Sequence, residues 1–118
     1  QKTLEEGDTL LQSGKINDAT LKYITSIEAN PENFQAYNGL GIIAYQRQMY
    51  QDAHRLFDTA LQLNPLDQDS LLNFWENSKY LSQQNTAIKR LVSALEMDPT
   101  LIEIKNIFLK MIQTLQRQ

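Results

Sequence analysis

Few side chains in this sequence have reactive potential. His54 is the only histidine and there is no cysteine. Asp52 and Asp58 lie close to His54 along the chain. Two carboxylates can share general acid/base work, but only inside a concave pocket that holds a substrate against them. All three residues follow the break at 46–50 on one helix, His54 is read as partly buried or solvent-facing, and no catalytic role is assigned. The run Gly39-Leu40-Gly41-Ile42-Ile43-Ala44 fits a dinucleotide-binding glycine pattern by letter. That chemistry needs a strand before the glycines and a helix that opens on them, so that backbone N–H groups meet the pyrophosphate. Here Pro31, Glu32 and Asn33 open a helix earlier. The missing cysteines remove thiolate nucleophiles and Cys-ligated zinc, and one histidine rules out a multi-His metal site and argues against a His-based triad. The expectation is a chain with no catalytic residue, no metal and no cofactor.

The elements that carry these residues are constrained by size and charge. A chain of 118 residues, 42% hydrophobic and 21% charged, fits one small domain. It is too short for a (β/α)₈ barrel or a two-half dinucleotide fold. Net charge is −3, whereas a general nucleic-acid binder is normally basic. Its apolar runs are too short to span a bilayer, so neither nucleic acid nor membrane insertion is expected. No signal segment is visible, and the cytoplasm is the default compartment. The chain opens on Gln1 rather than Met and is read as a fragment of something longer.

The strongest signal is a repeat. The three prolines, Pro31, Pro65 and Pro99, are separated by 34 residues each time. Ala19, Ala53 and Ala87 keep the same period, as do Tyr23, Phe57 and Leu91, and then Ser26, Ala60 and Ala94. A fixed period of this size indicates stacked supersecondary units. Within a period the apolar spacing is helical, with breaks at Gly14, at 46–50 and near Gln83 and Gln84. Asn17 and Asn85 are expected to cap the helices that follow two of these breaks. Each unit is then two antiparallel helices ended by a proline, which turns Asn30, Asn64 or Asp98 before it away from helical geometry. The small column lets the two helices of a pair approach. The large column fills the space between units, because one pair cannot cover its apolar face alone.

These columns resemble those of the tetratricopeptide repeat family, whose pattern runs Trp-x2-Leu-Gly-x2-Tyr, Ala-x3-Phe and Pro every 34 residues. The middle unit matches best, with Tyr37, Leu40, Gly41, Ala44, Ala53, Phe57, Ala60 and Pro65. The first unit keeps Gly7, Leu10, Ala19, Tyr23 and Pro31. The third departs at Phe74 and Trp75, where Leu and Gly are usual. Trp75 is either core packing or a bulky residue that pushes its helix pair apart and reshapes one end of the binding surface. The resemblance implies an all-α, right-handed solenoid of three helix-turn-helix units, at 1–33, 34–67 and 68–101. A capping helix follows over 101–117, making about seven helices. Its stripe holds Leu101, Ile104, Ile107, Phe108, Met111, Ile112 and Leu115, and a mostly polar outer face favours a cap over the start of a fourth unit.

In this family the first helix of each unit lines a concave groove. Register transfer places Gln1, Leu4, Glu5, Asp8, Leu11 and Gln12 there from the first unit. The second supplies Gln35, Asn38, Gly39, Ile42, Tyr45 and Gln46, and the third Asp69, Leu72, Asn73, Glu76, Lys79 and Tyr80. The candidate peptide-contacting residues are Asp8, Asn38, Ile42, Tyr45, Asp69, Asn73, Glu76, Lys79 and Tyr80. A well-known subgroup clamps acidic chaperone tails with cations and amides at five positions. Here those positions hold Leu4, Asp8, Gly39, Asp69 and Asn73, with no cation. Chaperone C-terminal tails are therefore expected to be excluded, and a neutral or basic protein segment is favoured over an acidic one. The implied function is a non-catalytic protein-interaction module. The alternative is an accessory domain of a larger bacterial enzyme, such as a glycosyltransferase or methyltransferase, suggested by the stretch 64–73, with the chemistry elsewhere. Ile102, off the main stripe, marks a surface through which two copies could associate.

Overall fold

The periodic columns become contacts in a computed structural model, which describes residues 2–117. Among them are seven α-helices and no strand. In chain order these are α1 (Lys2–Gln12), α2 (Ile16–Ala29), α3 (Phe34–Gln46), α4 (Tyr50–Leu63), α5 (Gln68–Ser78), α6 (Gln84–Met97) and α7 (Ile102–Gln116), with a 3₁₀ turn at Lys79–Leu81 after α5. Helices pack pairwise in sequence order, and α1, α3 and α5 also lie side by side. The radius of gyration is 14.4 Å, somewhat above the ~13.5 Å of a compact chain of this length. The molecule is a helical solenoid.

Two turn types repeat. Between the helices of a pair, Gly14, Gln48 and Ser82 adopt φ of 79°, 61° and 54°. The three positions are 34 residues apart, so one left-handed residue closes every pair, with glycine only in the first. Between pairs, Asn30, Asn64 and Asp98 are extended, with φ of −148°, −142° and −147°, as a residue before proline should be. Each also accepts from the N–H two residues on, at 3.1, 3.2 and 3.1 Å. These are Asx turns that reach across the proline.

Helix starts depart from expectation. The residue before α2 is Lys15 and that before α6 is Gln83, neither with a side-chain cap. Asn17 and Asn85 therefore lie inside the first turn, where a side chain no longer faces the free N–H groups. Asn17 Oδ1 accepts instead from Arg47 at 3.0 Å. True caps are Asn33 on α3 and Asp67 on α5, accepting from the N–H three residues on. Pro31 and Glu32 form the turn before α3 rather than its first residues.

All three alanines of the 19/53/87 column are buried, as are Tyr23, Phe57 and Leu91 and the small column 26/60/94. Glycine follows from the large residue opposite it. A Cβ on Gly41 would lie 2.5 Å from the Phe57 ring, and one on Gly7 would lie 3.0 Å from Tyr23. In the third pair the same position is Trp75, and the large column shrinks to Leu91. The tryptophan is 2% exposed, so it is core packing. Helix α7 buries Ile104 and Met111, while Ile102 and Leu109 are exposed.

Candidate functional site

Side chains from α1, α3 and the start of α5 converge on an open cavity of about 400 Å³. Its walls hold Asp8, Leu11 and Gln12 from α1, Gln35, Asn38, Gly39 and Ile42 from α3, and Asp67 and Asp69 at the head of α5. Tyr23 of α2 reaches in from behind. Gly39 has to be glycine, because a Cβ there would lie 2.4 Å from Tyr23 Cζ. The hydroxyl of Tyr23 then emerges beside α1 and donates to Asp8 Oδ1 at 2.6 Å. Burial, then this hydrogen bond, raises the Tyr23 pKa far above the ordinary phenol value and keeps the hydroxyl a donor.

Four of the nine candidates, Asp8, Asn38, Ile42 and Asp69, therefore share one cavity. Asn73 joins them through Asn38, its Nδ2 donating to Asn38 Oδ1 at 3.1 Å. The other four do not line this cavity. Tyr45 and Tyr80 meet edge to face at 5.7 Å. Glu76 and Lys79 form an ion pair at 2.8 Å, and the Lys79 ammonium lies 5.7 Å from the Trp75 ring centroid. A hydrogen bond with Tyr80, then burial, pushes Tyr45 up to about 12, so its hydroxyl stays protonated at neutral pH. Leu4, at 6% exposure, belongs to the core rather than the groove, and Gln1 lies outside the described residues.

Tyr50 lies beside two of the candidates without being one of them: its ring stacks on Tyr80 at 4.3 Å and meets Tyr45 edge-on at 5.8 Å. The available signal was its place just after a turn that folds it back on Tyr45. On the other side of the fold, Asp58 takes both Nε and Nη2 of Arg90, at 3.0 and 2.7 Å. Asp52 pairs with Arg55. His54 packs on Phe74 at 4.7 Å, and its Nδ1 is buried without a hydrogen-bond partner. Neither aspartate is held on the imidazole as a base-orienting group would be.

A family profile described as tetratricopeptide repeat matches residues 4–68. No curated protein matches. Solved structures share the fold at low identity. The first tetratricopeptide domain of Spaghetti (RPAP3) bound to the HSP90 peptide SRMEEVD is 21% identical, with a TM-score of 0.74 over 97% of this chain and 90% of that one. The second such domain of human RPAP3, in complex with the HSP70 peptide SGPTIEEVD, is 17% identical, with a TM-score of 0.71 over 92% and 91%. YrrB, described as a tetratricopeptide protein with an unusual peptide-binding site, is 22% identical at 0.72, over 90% of this chain and 55% of its own.

The expected exclusion of chaperone tails is overturned by these neighbours, two of which hold such tails. The preference for a neutral or basic segment falls with it. Leu4 is a core residue and Gly39 has no room for a side chain, so neither reports on ligand charge. Asp8 is engaged by the Tyr23 hydroxyl. The cavity wall carries the amides of Gln12, Gln35 and Asn38, which can donate to a carboxylate. With the repeat columns packed as described and the profile spanning more than half its length, the chain belongs to the tetratricopeptide repeat family.

Proposed function

We propose that the chain is a protein-interaction module whose groove, formed along α1, α3 and α5, holds an extended peptide segment of a partner protein. Tetratricopeptide arrays stack helix pairs into extended concave surfaces that act in this way. The observation that carries the reading is the Asn73–Asn38 hydrogen bond at 3.1 Å. It fixes two amides from different helix pairs while leaving Asn38 Nδ2 to donate and Asn73 Oδ1 to accept. A peptide backbone offers the matching C=O and N–H groups. Tyr45, Tyr50 and Tyr80 provide a rigid aromatic anchor at one end, and the cavity between Asp8 and Asp69 receives a side chain at the other.

The test is an array of peptides that includes SRMEEVD, SGPTIEEVD and randomised ten-residue sequences, followed by affinity measurement on the best binder. Asn38→Ala with Asn73→Ala, and separately Tyr45→Ala with Tyr80→Ala, are expected to weaken binding about tenfold or more, the effect of losing a hot-spot contact. An array without a binder, or a Kd unchanged in both double variants, overturns the reading.

A further inference from the structure

A second cavity, of about 390 Å³, lies between α3 and α4. Leu40, Ile43, Ala44, Met49 and Leu56 line it, with Thr20 of α2 at one side. On α3, the helical period puts Leu40, Ile43, Ala44 and Arg47 on the face opposite Ile42 and Asn38, so this cavity is separate from the groove. Its lining is mainly aliphatic, and Met49 is 48% exposed. Three charged residues stand at the rim, Arg47, Asp52 and Arg55. Asp52 and Arg55 neutralise each other. Arg47 is different. Its Nη2 donates to the neutral amide oxygen of Asn17 at 3.0 Å. Lys22, Arg55, Lys79 and Arg90 each face a carboxylate; Arg47, like Lys15, Lys89, Lys105 and Lys110, has none among the described residues, and of these five it is the one that lines this cavity, its hydrogen bond to Asn17 leaving the charge uncompensated. Asn17, drawn out of the capping role, holds that guanidinium across the junction of the first two helix pairs.

We infer that this cavity is a second docking site, for a partner segment that pairs a large aliphatic side chain with a neighbouring carboxylate. The aliphatic group enters between Leu40, Ile43, Met49 and Leu56, and the carboxylate meets the guanidinium of Arg47. The volume falls within the range of ligand pockets, and the open mouth suits a side chain presented on a peptide. The uncompensated cation selects an anion beside it. Because the two sites lie on opposite faces of α3, the module could hold one partner in the groove and a second on this face. The inference does not depend on the groove reading.

The probe is acetyl-Leu-Glu-amide, titrated against the whole chain while its methyl resonances are followed by NMR. Saturable shifts are expected at Leu40, Ile43, Met49 and Leu56, with Ile42 in the groove unmoved. Acetyl-Leu-Gln-amide should bind about three- to fivefold more weakly, the scale of an exposed ion pair, and the difference should shrink at high salt. Acetyl-Ala-Glu-amide should leave the methyls still. Arg47→Gln, a change at an exposed residue, should equalise the Leu-Glu and Leu-Gln peptides while retaining the leucine-dependent shifts. Shifts that appear at Ile42 instead, no saturable shift at all, or a Glu preference that survives Arg47→Gln would each overturn the inference. A groove that binds nothing in the array, beside a cavity that behaves as stated, would separate the two proposals.

Discussion

His54 has a definite thermodynamic role even without a catalytic one. Burial lowers its pKa below the ordinary 6.5, the Asp58 charge opposing this and Arg55 adding to it. Well above pH 6.5 the ring is neutral in both folded and unfolded chains and has no effect on their balance. As pH falls through 6.5 the unfolded chain takes up a proton that the folded chain resists, so stability declines until the lower folded pKa is passed. The melting temperature should therefore fall between pH 7 and 5, and His54→Leu should flatten that slope. Among the described residues, the one carboxylate with a resolved shift, Asp98, is lowered by its hydrogen bonds from Thr100 and acts at more acidic pH. Thermal melts at fixed ionic strength check this, and equal slopes in the two proteins would remove His54 as the cause. Ser26 supplies a second case. Its hydroxyl is buried and unpartnered, in a column that is otherwise alanine. Ser26→Ala should gain about 1 kcal/mol by removing an unsatisfied polar group, read as a higher urea midpoint, and a lower midpoint would contradict it.

At the scale of the element, the turns that close each helix pair divide one conformational demand unequally. Gly14 meets its positive φ without a Cβ, while Gln48 and Ser82 carry side chains in the left-handed region. That region costs an ordinary residue roughly 1–2 kcal/mol, and glycine in the unfolded chain offsets part of the gain. Gln48→Gly and Ser82→Gly should each stabilise by about 0.5–1 kcal/mol. Gly14→Ala should destabilise by a similar amount, although nothing lies within 4 Å of the added Cβ. Chemical denaturation measures all three, and a loss on Gln48→Gly would show that its side chain has a role the backbone argument omits. The same elements show what can be read from sequence. Packing columns are legible because each residue type answers a contact one helix away, as Gly41 answers Phe57. Asn17 and Asn85 are not caps because a helix start is fixed by which residue leaves helical geometry, and a capping-type side chain two residues further on looks the same in sequence. The groove was legible only as positions. Its contacts join Asn38 to Asn73 and Tyr50 to Tyr80, residues 30 or more apart, and no local pattern records such pairs.

At the scale of the whole molecule, the core is two clusters rather than one. Leu4, Ala19, Tyr23, Ala36 and Ile43 form the first. A larger second cluster runs from Ala44 through Phe57, Trp75 and Leu91 to Met111. The division falls within α3, which gives Ala36 and Ile43 to the first cluster and Ala44 to the second, so one helix is the seam of the array. In a repeat protein each unit is stabilised mainly by its neighbours, and a local defect need not unfold the rest. Tyr23 is the keystone of the first cluster, because its ring fills the space against Gly7 and Gly39 and its hydroxyl ties Asp8. Tyr23→Ala should cost about 3–5 kcal/mol within that cluster, as for other buried aromatic truncations. Hydrogen exchange should then show α1 and α2 losing protection while α5, α6 and α7 keep theirs, and Met111→Ala should give the reverse order. The two variants together decide the matter. If either lowers protection evenly from α1 to α7, the chain unfolds as one unit and α3 is no seam. If the losses stay on their own sides, the cavity floored by Tyr23 and the tyrosine cluster on α3, α4 and the turn after α5 rest on separately stabilised halves. A ligand that spans both would then couple them, and binding would raise exchange protection on the two sides of α3 together.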